Sequence, residues 1–572
     1  MDMLAYFYQA SETYVQVFQA ILRYLAPILA GFLLFRCIRP LLTFRREPEI
    51  WAWLCLEDGR KLPITHWENV IGRNKRSDVV VDVPTISRSH AVLTRYDDGS
   101  WTLSDTGSKS GTRVNGELID ITPITEEDLI TIGGVNMQLM PMNKRQERRL
   151  AQLRTQAARP IGSLANLLLL SILQILLGIS YLMRCGGENA ADIAIGFSGI
   201  MICQWALLIF YLCIKKPSFE VETIAFFLCT LGMAAIAAVK PAEMTKQLLA
   251  MVLGLTVFLV MGWSLRDLER AKKIRRVAAF AGILLLVITL VFGREYHGAK
   301  NWLFIGGMSF QPSELSKVCF VFVGASTMDR ILNKKNLIIF IVYTVIICMC
   351  LAVMNDFGTA LIFFVAFLLI AYLRSGSIGT IALACTSLGF AGVLVLKIAP
   401  HALRRFATWR HIWDDPFGAG FQQTRALMCI ASGGLFGLGA GNGWMQRVFA
   451  ADSDVVFATL SEEWGLIMAV MLVVCILVLG LFSLRMAGIS RSSFYTIGSC
   501  TAAGILLVQT VFNVLGTVDV LPLTGVTFPF VSNGGSSMIG AWGLLAFIKA
   551  ADTRQNASFA VRQTKEGGEL YE

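Results

Sequence analysis

The sequence predicts a polytopic α-helical membrane protein of about twelve spans plus one N-terminal anchor, with a small all-β sandwich between the anchor and the spans. Three observations lead there. The 572 residues are 55% hydrophobic and 16% charged, with a mean hydropathy of +0.61, a composition typical of membrane proteins. From residue 161 to about 550 apolar runs follow one another, several of them near the ~20 residues a helix needs to cross a bilayer. Between about residues 48 and 142 the apolar runs shrink to strand length and alternate with polar residues.

The first element is an anchor over residues 1–47. Its apolar run, about 13–36, ends in "RCIRPLLTFRREPE", and Arg36, Arg39, Arg45 and Arg46 assign that side to the cytoplasm. The charge precedes no apolar stretch and no small-residue cleavage site follows it, so the segment reads as a retained anchor. In residues 48–142, "DVVVDV", "HAVLTRY", "SWTLSD" and "LITIGG" are strands, and "YDDGS", "VNGE" and "TIGGV" are the turns between them. A basic linker, "NKRQERRLAQLRTQAAR", covers 143–160 and reads as a solvated juxtamembrane helix. The core, 161–552, has apolar runs centred near 172, 203, 230, 256, 285, 321, 345, 365, 388, 472, 505 and 543, and a cytoplasmic tail occupies 553–572. Basic loops such as "KKPSFE", "RDLERAKKIRR" and "DRILNKK" alternate so that 294–312, 400–453 and 517–535 face outward.

The net charge of +10 lies at the ends of apolar runs, the distribution the positive-inside rule produces. No basic-aromatic module accompanies it, so no nucleic acid is expected. The thirteen cysteines form no CxxC pair and the five histidines no metal-binding spacing, which speaks against a disulfide framework or a structural metal.

Gly72-Arg73, Ser87-x-x-His90, the "GSKSGT" loop at 107–112 and Asn115-Gly116 follow one another at set spacings. With them the β region resembles a forkhead-associated (FHA) domain over nearly its whole length. The resemblance implies a phosphothreonine reader in which Arg73, Ser87 and Arg88 contact the phosphate, His90 braces the loop, and Gly72 and Asn115 are structural. Ser110 stands where that family usually has the Asn that holds the peptide backbone, and Lys109 adds a charge beside it. Guanidinium and hydroxyl donors suit a phosphate ester with three acceptor oxygens. The implied partners are a phosphothreonine-containing protein and a serine/threonine kinase.

In the outward segments, "IWDDPFGAGFQ" puts Asp414 and Asp415 in the longest loop. Trp302, Gln311, Glu314 and Lys317 lie where a span re-enters the membrane, and Glu314 and Lys317 are spaced to pair on one helix face. Ionisable groups at a membrane boundary are functional candidates by default. "GAKNW…QPSELSK", "NDFGTAL", "DPFGAGFQ", "SGGLFGLGAG", "SDVVFATLSEEWG" and "TGVTFPFVSNGGSS" occur in this order over about 270–550. Together they closely resemble the SEDS family, the group containing RodA and FtsW. Asn301, Asp452 and Asn533 depart from that family's usual Arg, His and Tyr.

The resemblance implies a SEDS-type core that is a peptidoglycan glycosyltransferase. It would polymerise lipid II on the outer face of a bacterial cytoplasmic membrane, in elongation, division or sporulation. A class B penicillin-binding protein would be the transpeptidase partner. The family's essential acid falls on Asp415, as general base or cation ligand. Lys317, Arg404 and Arg405, with Arg425 behind them, are candidates for the positive charge at the leaving pyrophosphate. Gln311, Trp302, Gln422, Glu314 and Glu463 would shape the substrate pocket. A divalent cation, Mg or Mn, is the cofactor this chemistry admits, and no organic cofactor is expected. The competing readings are a flippase for lipid-linked precursor and an FHA scaffold with an idle core.

Overall fold

A computed structural model of the chain describes residues 12–44, 50–142, 160–375, 400–554 and 558–559, with breaks at 76, 97–98, 186, 297–298, 306–307, 329–333 and 491, and isolated positions between 376 and 399. The expected linker, most of the tail and the run centred near 388 lie outside the described residues.

Helix α1 (Glu12–Thr43) is followed by strands β1 (Ala52–Leu56), β2 (Lys61–Ile64), β3 (Glu68–Gly72), β4 (Val79–Val80), β5 (Ala91–Arg95), β6 (Trp101–Asp105), β7 (Thr112–Val114), β8 (Glu117–Ile119), β9 (Ile121–Ile124), β10 (Leu129–Ile132) and β11 (Val135–Pro141). They form two sheets, ordered β2-β1-β11-β10-β7-β8 and β4-β3-β5-β6-β9. Alternation along each strand sends one set of side chains inward. Leu54, Ile130, Ile132 and Leu139 from one sheet and Ile71, Leu93 and Leu103 from the other are fully buried.

The membrane core contains α2 (Pro160–Cys185), α3 (Ala190–Cys213), α4 (Glu220–Val239), α5 (Met244–Leu265) and α6 (Leu268–Phe292). A three-stranded meander, β12 (Arg294–Tyr296), β13 (Ala299–Ile305) and β14 (Met308–Phe310), leads into α7 (Pro312–Met328), α8 (Lys334–Val353) and α9 (Phe357–Ser375). Then come α10 (Pro400–Thr408), α11 (Phe421–Gly433), α12 (Val456–Ala487), α13 (Ser493–Thr517) and α14 (Gly535–Ala550). Eleven of the twelve expected centres fall inside these helices.

Nine of the described helices, α1 among them, are long and apolar enough to span a bilayer. α7, with 17 residues, and α14, with 16, are shorter. Ahead of α14 the chain is irregular, yet Phe528, Phe530 and Val531 are buried there. Non-helical backbone of this kind is tolerated where protein surrounds it. α4 lies at the centre, with every residue from Glu220 to Ala238 buried.

Polar contacts tie the anchor and the sandwich to the core. Gln19 of α1 donates to the Ala440 carbonyl at 2.9 Å and accepts from Asn442 Nδ2 at 2.7 Å. Glu68, at the start of β3, accepts from Ser492 Oγ at 2.9 Å and from the Ser493 amide at 3.0 Å, where α13 begins. His66 Nδ1 is 2.8 Å from the Ser490 carbonyl.

Candidate functional site

Asp415 lies between α10 and α11, in a turn that its own side chain organises. Its two carboxylate oxygens accept from the Gly418 and Ala419 amides, each at 2.9 Å, and its carbonyl accepts from Gly420 N at 3.0 Å. A Cβ at Gly418 would fall on the Asp415 carboxylate, so any larger residue there requires that side chain to move. The side chain is exposed, and each oxygen keeps a lone pair for a further proton or donor. Asp414 next to it is also exposed. Gln422, in the first turn of α11, donates to the Phe449 carbonyl at 2.9 Å.

A second polar group forms where β13, α7, α9 and α14 converge. Asp356 accepts from Asn301 Nδ2 at 2.9 Å and Gln311 Nε2 at 3.3 Å, and its other oxygen takes the Thr359 amide at 3.2 Å in the first turn of α9. The Gln311 amide donates to Ser536 Oγ at 3.0 Å. One turn into α7, Lys317 and Glu314 pair at 2.7 Å with both side chains buried, so Lys317 presents no free charge to solvent. Trp302 is half-buried on β13, opposite Arg294.

Arg405 donates to the Thr524 carbonyl at 3.0 Å, linking α10 to the irregular segment before α14. The Arg404 side chain lies outside the described residues. Glu463 is buried, accepting from Tyr181 Oη at 2.5 Å and the Gly441 amide at 3.0 Å. Its neighbour Glu462 accepts from the Met445 amide at 2.9 Å. The Glu463 carboxylate holds the end of the "SGGLFGLGAG" loop, and the Glu462 carboxylate the turn that follows it, against α12, whose helix is interrupted at Gly465 (φ 82°, ψ 164°). No hydrogen bond or ion pair among the described residues joins Asp415 to Lys317, Arg405 or Glu463. Asp415 and Arg405 are exposed, while Lys317 and Glu463 lie buried in separate polar groups.

The sequence pointed to "NDFGTAL" without singling out Asp356, though a lone acid at the end of an apolar run was signal enough. It gave no sign of the contact between Lys240 and Asp452, 3.1 Å apart, or of Asn533 Nδ2 donating to Asp452 at 2.6 Å. Each Asp415 oxygen takes one amide and keeps a lone pair that a divalent cation would use, but among the described residues no three His, Cys, Asp or Glu side chains gather as a metal-binding group.

On the sandwich, the Ser87 amide donates to His90 Nδ1 at 3.1 Å and His90 Nε2 reaches the Gly111 carbonyl at 3.2 Å. Nδ1 is thus the acceptor and Nε2 carries the hydrogen. Ser87 Oγ accepts from the Lys109 amide at 3.1 Å, and Ser110 Oγ donates to the Thr85 carbonyl at 3.2 Å. Arg73, Arg88 and Lys109 are exposed around these loops, and Gly72 ends β3 beside the Arg88 carbonyl. Asn115, at φ 52°, donates to Asp128 at 2.7 Å and accepts from the Leu129 amide at 2.9 Å.

A residue missed in the sequence is Asp105, which accepts from the Gly107 and Ser108 amides and from the Ser108 and Thr112 hydroxyls at 2.6–2.9 Å. Partial burial pushes its carboxyl up, but these hydrogen bonds outweigh it and hold it below the ordinary value.

Comparison with known proteins accounts for both regions. The FHA domain model matches residues 69–133. The chain is 28% identical over 303 residues to a probable peptidoglycan glycosyltransferase FtsW of Wigglesworthia glossinidia brevipalpis, an alignment covering 50% of this chain and 77% of that one. It is also 28% identical over 325 residues to the peptidoglycan glycosyltransferase RodA of Mycobacterium tuberculosis, covering 53% and 69% respectively. In fold it resembles a chain of a peptidoglycan synthase complex that coordinates polymerization and crosslinking (TM-score 0.51, 24% identity, 59% of this chain and 98% of that one). The model of the FtsW/RodA/SpoVE cell cycle proteins matches residues 225–557, more than half of the chain, and the chain belongs to that family, with an FHA domain placed ahead of the family core.

Proposed function

We propose that this protein is a peptidoglycan glycosyltransferase that polymerises lipid II, with Asp415 as the general base. The observation that carries this is the Asp415 turn, an exposed carboxylate aimed by two backbone amides within the matched family region. An acceptor sugar hydroxyl attacks the anomeric carbon, and the bond from that carbon to the pyrophosphate oxygen breaks. The pyrophosphate departs with the electron pair and the hydroxyl proton passes to Asp415. The leaving group is already activated, so no second carboxylic acid is required, unlike in glycosidases.

The Asp415 turn faces outward and the FHA domain faces the cytoplasm; support comes from Arg36 and Arg39 at the end of α1 that leads to the sandwich. A class B penicillin-binding protein supplies crosslinking, by analogy with the synthase complex that this chain resembles. Through its loops the FHA domain binds a phosphothreonine segment made by a serine/threonine kinase.

The test is polymerisation of purified lipid II in detergent, with the transpeptidase partner present. Glycan from the parent, with a rate lower by about 10²–10⁴-fold in Asp415→Asn, is expected. Polymer from Asp415→Asn at the parent rate rejects the assignment of the base. No polymer from the parent moves the reading to precursor transport.

A further inference from the structure

Arg425 lies one turn into α11, just after the Asp415 turn. Its guanidinium carbon is 5.3 Å from the Phe417 ring, 5.2 Å from Phe421 and 5.8 Å from Trp444. Aromatic faces hold a cation flat while leaving its N–H edge open. That edge is underused. Nη1 meets only the Met428 sulfur, at 3.2 Å, and the buried Nε has no hydrogen-bond acceptor. Arg447 lies 6.0 Å from the same Trp444 ring. Lys317 is engaged with Glu314, Lys240 with Asp452 and Arg405 with the Thr524 carbonyl, while the Arg410 guanidinium lies 5.3 Å from the Trp409 ring. Among the described residues, Arg425 and Arg447 have no carboxylate partner.

We infer that Arg425, with Arg447 beside it, is the pyrophosphate-binding element of the Asp415 site, and that its ligand is a polyprenyl pyrophosphate. The inference rests on the proposed glycosyl transfer. A guanidinium fork matches two phosphate oxygens at once, and Phe417, 81% exposed, offers apolar surface beside it for a prenyl chain. As the carbon–oxygen bond breaks, its electron pair stays on the pyrophosphate and the acceptor's proton goes to Asp415. Negative charge thus grows where the fork waits, and a preset donor is most effective there.

The test uses the full-length protein in detergent, comparing the parent with Arg425→Met, Arg425→Lys and Arg447→Met. Two quantities are read: lipid II kinetics, and direct binding of radiolabelled undecaprenyl pyrophosphate competed by unlabelled undecaprenyl monophosphate or inorganic pyrophosphate. Arg425→Met should raise KM and weaken undecaprenyl pyrophosphate binding by about tenfold or more, the scale of one lost charged hydrogen bond. Arg425→Lys should recover part of it, and Arg447→Met should show a smaller loss. Competition by inorganic pyrophosphate that depends on Arg425 supports the headgroup site without the chain; competition by the monophosphate equal to that of the diphosphate overturns it.

Parent binding and KM in both Met variants also overturn it. The binding arm does not need turnover. A parent that makes no polymer but binds undecaprenyl pyrophosphate through Arg425 defeats the transferase reading and leaves this site standing. If Arg425→Met does not fold, Arg425→Lys and Arg447→Met carry the same expected direction.

Discussion

Asp415 was legible because everything that shapes it is local: a proline, two glycines and two amides within five residues. Its geometry makes Gly418 a sensitive neighbour. Gly418→Ala would push a methyl into the carboxylate and should lower the polymerisation rate by about tenfold or more, the scale of a small misplacement of a catalytic group, while the melting temperature of the purified protein stays near that of the parent. An unchanged rate would show that the carboxylate need not be held in this turn. The Glu314–Lys317 pair was legible for the same reason, at i and i+3. Asp356 with Asn301, and Lys240 with Asp452, are separated by 55 and 212 residues, and nothing in a single sequence links such positions. The three departures from family habit turn out to be organised: Asn301 donates to Asp356, and Asn533 donates to Asp452.

Among the elements, the sandwich was read most completely, because strand alternation and turn residues repeat over short distances. What could not be read was how its loops are held, which is the work of Asp105 and Asp128. The Asp128 carboxyl is lowered by the Thr125 amide, then by the Asn115 and Thr125 side chains. Both acids sit below the ordinary value when folded, so the unfolded chain takes up protons first as pH falls. Their contribution is complete above the unfolded value of about 4 and is lost as pH drops through the lower folded values. Hydrogen exchange in Trp101–Asp105 and Leu129–Ile132, corrected for intrinsic rates, should show protection falling below about pH 4 in the parent and less pH dependence in Asp105→Asn. On the proposed reading, ligand grip would rest on the exposed donors. Arg73→Ala should weaken capture of a phosphothreonine peptide by about tenfold or more, while the unphosphorylated peptide binds neither form measurably.

At the scale of the whole molecule, the order of the described spans followed from hydropathy, since each span announces itself in its own run. The ties between spans did not. One of them is a buried ionic layer. Lys549 of α14 is 3.0 Å from Glu222 of α4, while Arg554 reaches Asp552 at 2.7 Å and Glu220 at 3.4 Å. Glu222 also accepts from Tyr211 Oη at 2.7 Å. Removing one member leaves an unpaired buried charge, which typically costs about 3–5 kcal/mol. Lys549→Met should therefore lower the melting temperature of the detergent-purified protein sharply, and adding Glu222→Gln should restore most of the loss. Equal melting temperatures for the single and double variants would exclude charge as the cause.

The docking of Glu68 onto Ser492 and Ser493 fixes one end of β3, and Arg73 follows directly after the other end. Five residues of strand span only about 15 Å. If the sandwich reads phosphothreonine as proposed, its reading loops stand on a short, stiff post at this contact, and much of the search falls to the ligand. A free cytosolic phosphoprotein meets such a reader at its bulk concentration. A phosphothreonine on the juxtamembrane tail of a protein sharing the bilayer meets it at the far higher effective concentration of a tethered pair. The mounting therefore favours neighbours already in the membrane, and makes their tail length a determinant of recruitment alongside the phosphorylated sequence itself.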